Sequence, residues 1–291
     1  MQGATAFFHW RCPRGATKLR AVPQKYFDID GVATFVHHSG PTTLPGVPPA
    51  FDHGEAIVCL HGAGNNGNLY RELAERLSEE HSPVAFDQPA HARSGGLDSL
   101  GSVGAMADFT LAVAERLAMP SKRVLVGHSM GGAVALETAL RAPQSVRALV
   151  IVSTPIAFPM PDFLLDGLRR VTEGKERRRF ERAVYSPSTP DAIVHRGFME
   201  DAKTDPRVMY GDLEACRDWQ GGKQLAQLDV PTLVVHGADE LAPLAAGSEA
   251  LAAAIPGARI EVLEGAGHMV PIEQTEVLAS TITAFLAELR A

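Results

Sequence analysis

One serine stands in a pattern that can make it a nucleophile. Residues 127–131 read Gly-His-Ser-Met-Gly, a G-x-S-x-G pattern with Ser129 at its centre. The pattern lies between a predicted strand at 123–126 and a predicted helix that runs to Arg141. A serine on so tight a strand-to-helix turn has strained backbone angles, and side chains at the two glycine positions would collide with the neighbouring chain. Because such a turn projects the hydroxyl above the sheet, the pattern predicts covalent catalysis by Ser129.

Ser129 needs a base and an acid, and two later segments offer them. A serine hydroxyl is a weak nucleophile until a base removes its proton, and after this kind of serine the acid precedes the histidine. Asp239 stands in His-Gly-Ala-Asp after a predicted strand, and His268 stands in Gly-Ala-Gly-His-Met after the next one. Both follow the carboxyl ends of strands, where parallel sheets place their sites. The sequence predicts His268 as the base and Asp239 as the acid that orients it, with the adjacent Glu240 as the alternative acid.

The rest of the chain alternates between strand and helix patterns. Residues 26–38 predict a hairpin around Asp30-Gly31, and from residue 55 onward β-branched runs alternate with amphipathic helical runs. This order predicts a mostly parallel sheet with helices on both faces. A mostly helical insertion interrupts it once, and we expect that insertion to form a cap. The expected divisions of the chain are an α/β core at 26–155 and 226–291, the cap at 156–225, and an N-terminal extension at 1–25.

Five stretches resemble the motifs of one enzyme superfamily, and they spread over about residues 26–291. They are residues 61–64, 87–94, 127–132, 237–239 and 265–268. Together they resemble the α/β-hydrolase superfamily, specifically its serine-triad members with a helical cap. The resemblance implies the α/β-hydrolase fold and a triad of Ser129, His268 and Asp239. It also implies an oxyanion hole formed by the backbone N–H groups of Ala63 and Met130, and no metal or organic cofactor.

The chain departs from this resemblance in one loop. The superfamily's D-x-x-G-x-G-x-S turn corresponds to residues 87–94, where Ala90 and Ala92 replace both glycines. This departure leaves the backbone shape of the loop open. Among the histidines, His128 is expected to be packed or gating, whereas His37 and His38, in the first hairpin, are expected at the surface. Cys59 lies in a predicted buried strand and is expected to be a small core side chain.

A second pattern points to a different chemistry. Gly62, Gly64 and Gly67 match G-x-G-x-x-G after a predicted strand and before a helix, and Asp87 ends the next strand. This is the fingerprint of a dinucleotide-binding turn. That hypothesis leaves the serine, the histidine and the later acid without a role. A non-catalytic binding protein on the same fold is a further alternative, which the complete set of catalytic residue types disfavours.

Composition narrows the class of protein. The 291 residues carry a formal net charge of −7, with 45% hydrophobic and 21% charged residues, as in an ordinary globular protein. The acidic balance disfavours nucleic acid as a partner, and no apolar run approaches the roughly 18 residues of a membrane span. The three cysteines show neither pairing nor metal-ligand spacing. We therefore expect reduced thiols in a cytoplasmic protein without a metal site.

The expected cap indicates the kind of substrate. It contains many apolar side chains, which favour a pocket for a small or medium apolar acyl or aryl group. The expected activity is that of a carboxylesterase on a small-molecule ester. Lactonase, thioesterase, carbon–carbon bond hydrolase, acyltransferase and perhydrolase chemistry remain alternatives, because the same triad serves all of them.

Overall fold

The computed structural model describes residues 24–38 and 47–290. The predicted N-terminal extension at 1–25 lies almost wholly outside the described residues, and so does Cys12. Within the described ranges, the strands along the chain are β1 (Gln24–Ile29), β2 (Val32–His38), β3 (Ala56–Leu60), β4 (Ser82–Phe86), β5 (Arg123–His128), β6 (Val146–Val152), β7 (Thr232–Gly237) and β8 (Arg259–Leu263).

These strands form one sheet that is mostly parallel. Its spatial order is β1-β2-β4-β3-β5-β6-β7-β8. The pairs β1–β2 and β2–β4 are antiparallel, and each of the other neighbouring pairs is parallel. The predicted parallel sheet is thus confirmed. The carboxyl ends of β3, β5, β6, β7 and β8 meet at one edge, where the motifs found in the sequence follow them.

Helices cover the sheet and supply the connections between its parallel strands. They are α1 (Arg71–Leu77), α2 (Val103–Arg116), α3 (Met130–Arg141), α4 (Asp162–Thr172), α5 (Asp191–Asp201), α6 (Pro206–Asp218), α7 (Ala242–Ala254), α8 (Val270–Glu273) and α9 (Thr275–Glu288). No helix in the described ranges is both long enough and apolar enough to span a bilayer. No sequence pattern predicts α8, because four residues that include a proline at the first turn have no helical periodicity.

Side chains that alternate along β3 divide the core into two layers. Val58 and Leu60 pack in one cluster with the buried residues of α2 and α3. Ile57 and Cys59 pack in the other cluster, with α1 and α9. Successive residues of a strand point to opposite faces, so a continuous apolar run such as Ala-Ile-Val-Cys-Leu fits a strand that is covered on both sides. Burial raises the pKa of the Cys59 thiol to about 12, as expected of a core side chain.

The first hairpin follows the predicted turn chemistry. Asp30 and Gly31 connect β1 to β2 with φ angles of 50° and 81°. Two consecutive positive φ angles indicate a type I′ turn, whose twist matches that of the flanking strands. The Asp28 carboxylate accepts the Gly31 N–H at 2.9 Å and stabilises this turn. The hairpin prediction is confirmed.

The insertion between β6 and β7 contains α4, α5 and α6. An isolated antiparallel bridge between Ala157 and Gln220 brings the two ends of the insertion together. Between these ends the segment contacts loops at the carboxyl edge of the sheet, at Gly64 and His268, and α6 contacts α3, the helix that follows Ser129. We refer to residues 156–225 as the cap.

Candidate active site

Ser129 occupies a strained turn between β5 and α3. Its φ of 53° and ψ of −120° are rarely adopted by residues other than glycine. A Cβ on Gly127 would lie 2.2 Å from the Gly131 carbonyl oxygen, and one on Gly131 would lie 2.0 Å from the Leu60 carbonyl oxygen. The predicted steric role of the two glycines is therefore confirmed. The Ser129 N–H donates to the Val152 carbonyl at 2.8 Å, which ties the strained residue to β6.

His268 lies in the loop after β8, and its backbone is bound from two directions. The His268 N–H donates to the carbonyl of Val184 in the cap at 2.8 Å. On either side of it, the N–H groups of Gly267 and Met269 donate to Glu273 Oε1 at 3.1 and 2.9 Å. Three consecutive N–H groups are thus satisfied, so the loop holds one backbone conformation.

The acid beside His268 is Glu240. His268 Nδ1 lies 2.8 Å from Glu240 Oε2, and the Glu240 side chain is 0% exposed. Asp239, predicted from the sequence to orient His268, is exposed, and its Oδ2 accepts the Ser186 hydroxyl at 2.6 Å. The structure therefore brings Ser129 and His268 to the same edge with Glu240, the alternative acid, and turns Asp239 toward the cap. Since a carboxylate only accepts, Nδ1 carries the proton and Nε2 is the basic nitrogen of His268.

The turn after β7 explains why Glu240, and not Asp239, faces His268. The strand ends at Gly237, and the Glu240 N–H donates back to the Gly237 carbonyl at 3.2 Å. Between them, the Asp239 N–H donates to the carbonyl of Ala266, in the loop that carries His268, at 2.9 Å. This tight turn sends the side chains of Asp239 and Glu240 in different directions. Because the two carboxylates are adjacent, the sequence alone contains no signal for which of them faces His268.

His128, which precedes Ser129, is a packed residue. It is buried, and its Nε2 donates to the His268 carbonyl at 2.8 Å. Burial, together with the neighbouring His268, lowers the pKa of His128 to about 3. A neutral His128 stabilises the loop that carries His268, called the histidine loop below, without placing a positive charge beside that residue.

The turn after β3 is preorganised by hydrogen bonds. The Asn65 N–H donates to the Gly62 carbonyl at 3.1 Å, and Gly64 has a φ of 66°. This combination indicates a type II β-turn, in which glycine takes the third position. His61 donates from Nδ1 to the Gly62 carbonyl and accepts the Gln88 N–H at Nε2, at 2.9 and 3.0 Å. Burial lowers the pKa of His61 to about 4, which keeps its ring neutral for both contacts.

This turn and the start of α3 offer two backbone donors. Met130 is the first residue of α3, where N–H groups have no partner within the helix. For Ala63, as for Met130, the described part of the chain shows no acceptor for the N–H group. The Gly64 N–H, by contrast, donates to Asp212. The N–H groups of Ala63 and Met130, the oxyanion donors expected from the sequence, are therefore not engaged by the described residues.

The glycine pattern of this turn binds an internal carboxylate. Asp87 is 1% exposed, and its Oδ1 accepts the Gly67 N–H at 2.8 Å and faces His37 Nε2 at 3.2 Å. Its Oδ2 accepts the Arg93 N–H at 3.2 Å. A dinucleotide site would need this carboxylate free for a ribose, so the geometry disfavours that hypothesis. The surface positions expected for His37 and His38 are wrong: they are 4% and 1% exposed.

The loop after β4 keeps a glycine-like backbone with alanine side chains. Ala90 and Ala92 have φ angles of 65° and 40°. We expect Ala90→Gly and Ala92→Gly each to raise the free energy of unfolding by roughly 0.5–1 kcal/mol, because glycine relieves the left-handed strain. Urea denaturation measures the change. Ala253→Gly, at an exposed position of α7, is the control and should lower stability by about 1 kcal/mol. A lower free energy of unfolding in all three glycine variants would contradict the expectation that Ala90 and Ala92 are strained.

The fold is expected to lose stability as the pH falls from about 6.5 to about 4. His61 and His128 stay neutral in the fold because their pKa values are lowered to about 4 and about 3, whereas the unfolded chain protonates them near 6.5. The unfolded chain therefore binds more protons in this window, and acid favours it. His128→Gln should make the slope of unfolding free energy against pH shallower by up to about 1.4 kcal/mol per pH unit.

Urea denaturation of wild type and variant between pH 4.5 and 8 measures these slopes. The control is His195→Gln, which changes an exposed histidine of α5 and should leave the slope as in wild type. An unchanged slope in the His128 variant would mean that His128 takes up its proton within the fold.

Comparison with known proteins identifies the family. The sequence model described as the alpha/beta hydrolase family matches residues 57–281. The chain belongs to this alpha/beta hydrolase family. The match includes the Ser129 turn, the loop that carries His268 and the turn after β3. In the part of the chain that the structure describes, no group of three histidine, cysteine, aspartate or glutamate side chains could hold a metal ion.

The curated relatives of the chain include a polyketide synthase and an esterase. It is 30% identical over 247 residues to a polyketide synthase, ThaQ, from Burkholderia thailandensis, covering 81% of this chain and 12% of that protein. It is 29% identical over 202 residues to the pimeloyl-[acyl-carrier protein] methyl ester esterase of Pectobacterium carotovorum, covering 64% of this chain and 77% of the esterase. The chain spans 12% to 66% of the length of three of its curated relatives, the polyketide synthase among them.

An esterase from Exiguobacterium antarcticum shares the fold. The two structures superpose with a TM-score of 0.77 at 21% sequence identity, over 90% of this chain and 99% of the esterase. At that identity the likeness concerns the fold alone.

Proposed function

We propose that the protein is a serine hydrolase that cleaves a small-molecule carboxylic ester through an acyl-enzyme on Ser129. The observation that carries this proposal is the 2.8 Å contact between His268 Nδ1 and the buried carboxylate of Glu240. A carboxylate in that position fixes the tautomer of the histidine and stabilises its protonated form. His268 is held in this way at the same sheet edge as the strained turn of Ser129. This arrangement supports general-base activation of the serine.

In the proposed reaction, His268 Nε2 removes the Ser129 hydroxyl proton as Oγ attacks the ester carbonyl carbon. The carbonyl oxygen becomes an oxyanion, which accepts hydrogen bonds from the N–H groups of Ala63 and Met130. The alcohol leaves with the proton from His268, so that the acyl group remains on Ser129. Water then attacks the acyl-enzyme, with His268 again taking and returning one proton, and releases the carboxylic acid.

The surroundings of the turn after β3 favour an apolar acyl or aryl group. Met209, from helix α6 of the cap, lies directly against this turn: a Cβ on Gly64 would come within 2.7 Å of Met209 Cγ. Met209 Sδ accepts an N–H of Arg178 at 3.2 Å, while the methylene groups of Met209 face Gly64 and offer an adaptable apolar wall next to the proposed donor Ala63. We therefore propose a carboxylesterase for esters with a small or medium acyl or aryl group.

Intact-mass measurement after treatment with a small fluorophosphonate tests the proposal. Wild type should gain the mass of one adduct, and Ser129→Ala should gain none while it keeps its fold. A matched control is Ser186→Ala, since Ser186 also pairs with a carboxylate, that of Asp239, but no histidine of the described residues hydrogen-bonds to its hydroxyl. This control should be labelled as wild type is.

Esters of p-nitrophenol with acyl chains of two to eight carbons then test the substrate class. Wild type should hydrolyse them, and Ser129→Ala should not. A folded wild type that takes up no fluorophosphonate and cleaves none of these esters would refute the proposed function. Equal labelling of Ser129→Ala would instead refute the choice of nucleophile.

A further inference from the structure

A buried carboxylate of the cap binds the turn that carries one proposed oxyanion donor. Asp212, in helix α6, is 0% exposed. Its Oδ2 accepts the Gly64 N–H at 2.9 Å and lies 2.7 Å from His91 Nε2, and its Oδ1 accepts the Ser99 hydroxyl at 2.6 Å. The three partners belong to the core, Gly64 to the turn after β3 and the other two to the loop after β4, so this single side chain joins the cap to two core loops.

The charge of Asp212 is compensated by His91. Both nitrogens of the His91 ring face oxygen acceptors, since Nδ1 lies 3.0 Å from the Pro89 carbonyl and Nε2 contacts Asp212. A ring that donates from both nitrogens is an imidazolium. Burial alone would raise the pKa of Asp212, but the charge of His91 and the hydrogen bonds from His91, Ser99 and Gly64 hold it below its usual value. The Gly64 N–H therefore faces an ionised carboxylate, which is a stronger acceptor than a neutral group.

The bond to Gly64 selects one conformation of the turn. In a four-residue turn such as Gly62–Asn65, types I and II differ by a flip of the central peptide, which here joins Ala63 to Gly64. The φ of 66° at Gly64 belongs to type II. Only one orientation of that peptide points the Gly64 N–H at Asp212, so the carboxylate stabilises type II against the flip. Met209, one helical turn earlier in α6, packs on the same glycine.

We propose that Asp212 is a positioning residue for the oxyanion hole: by binding the Gly64 N–H and opposing the flip, it anchors the turn and so fixes the position of the adjacent Ala63, whose own N–H is the proposed donor. This inference rests on the proposed function. Asp212 does not touch the substrate; it acts through the peptide next to the donor. Because it belongs to the cap, the hole is complete only while α6 is seated on the turn. The contribution of Asp212 therefore belongs to the transition state, where the oxyanion exists, and not to ester binding.

Kinetics of Asp212→Ala on a p-nitrophenyl ester test this role. We expect kcat to fall roughly 10- to 100-fold, with KM within about threefold of wild type, because the donor is displaced and not removed. Phenylboronic acid, which forms a tetrahedral adduct on an activated serine, is the second probe. Its Kd should rise by the same factor as kcat/KM falls. If Asp212 had only a structural role, kcat/KM and the affinity for phenylboronic acid would not fall by the same factor while KM stays unchanged.

A matched control breaks another buried cap–core bond to the same loop. Thr204 donates from Oγ1 to the Asn65 carbonyl at 3.4 Å and does not contact the central peptide. Thr204→Val should keep kcat and the boronic acid Kd within about threefold of wild type. Unchanged values in a folded Asp212→Ala protein would overturn the proposal, and so would a rise in KM at constant kcat or equal losses in both variants.

Two measurements decide the matter if Asp212→Ala does not fold. Asp212→Asn keeps an oxygen that can accept the Gly64 N–H but removes the charge, and it should show a smaller loss of the same kind. In the wild-type protein, hydrogen exchange of the Gly64 amide should be at least about 100-fold slower than in an open loop. Fast exchange would overturn the proposal. Absent fluorophosphonate labelling of wild type would instead refute the proposed function, and the exchange experiment distinguishes the two failures.

Discussion

Glu240→Gln should lower kcat for ester hydrolysis by roughly 10³- to 10⁴-fold, whereas Asp239→Asn should stay within about threefold of wild type. Glu240 is buried and lies 2.8 Å from His268 Nδ1, so an amide in its place can present an N–H to the ring and favour the wrong tautomer. The Asp239 carboxylate is exposed and, among residues 24–38 and 47–290, hydrogen-bonds to Ser186 alone. Initial rates on a p-nitrophenyl ester at saturating substrate measure both effects.

The two variants control each other. They are adjacent, each replaces one carboxylate oxygen by an amide nitrogen, and each changes the net charge by the same amount. Thermal unfolding shows whether both variants retain the fold. The fluorophosphonate labelling rate should fall with kcat in Glu240→Gln, because it depends on the same activated serine. A large loss in Asp239→Asn alone would return the acid role to Asp239, and equal, small losses would leave His268 without an essential acid.

Local patterns were sufficient for much of the architecture because the physical rules that they follow act over a few residues. Asp30-Gly31 predicts a type I′ turn since both positions must adopt positive φ. Gly127 and Gly131 predict the elbow since any side chain there would meet backbone at about 2 Å. Continuous apolar runs predict strands that are buried on both faces.

Other features depend on contacts between distant parts of the chain. His37 is buried because Asp87, fifty residues later, accepts its ring N–H, and a hairpin sequence contains no sign of that partner. Asp212 gives no motif in the sequence, and its importance follows only from α6 lying on the turn at Gly64. Asp239 and Glu240 have equivalent chemistry in the sequence, and only the turn after β7 distinguishes the two side chains.

The histidine loop and the cap share one further anchor, Glu273 of α8. Its Oε2 accepts the Ser186 N–H and the Thr189 hydroxyl, both in the cap, at 2.7 and 2.5 Å. Its Oε1 accepts the N–H groups of Gly267 and Met269 on either side of His268. One carboxylate therefore fixes the position of His268 relative to the cap segment that covers it.

We expect Glu273→Ala to lower the free energy of unfolding by roughly 2–4 kcal/mol, because four donors lose a carboxylate acceptor and three of them are backbone N–H groups of loops. The same change should lower kcat at least about tenfold, since His268 loses its backbone constraint. Urea denaturation and ester kinetics measure the two effects. Glu276→Ala, three residues later, is the control: Glu276 is 67% exposed and pairs with Arg76 at the surface, so its loss should cost less than about 0.5 kcal/mol and leave kcat unchanged. Equal stability losses in both variants would mean that water replaces Glu273 as the acceptor for its four donors. The loop would then hold His268 without the Glu273 carboxylate.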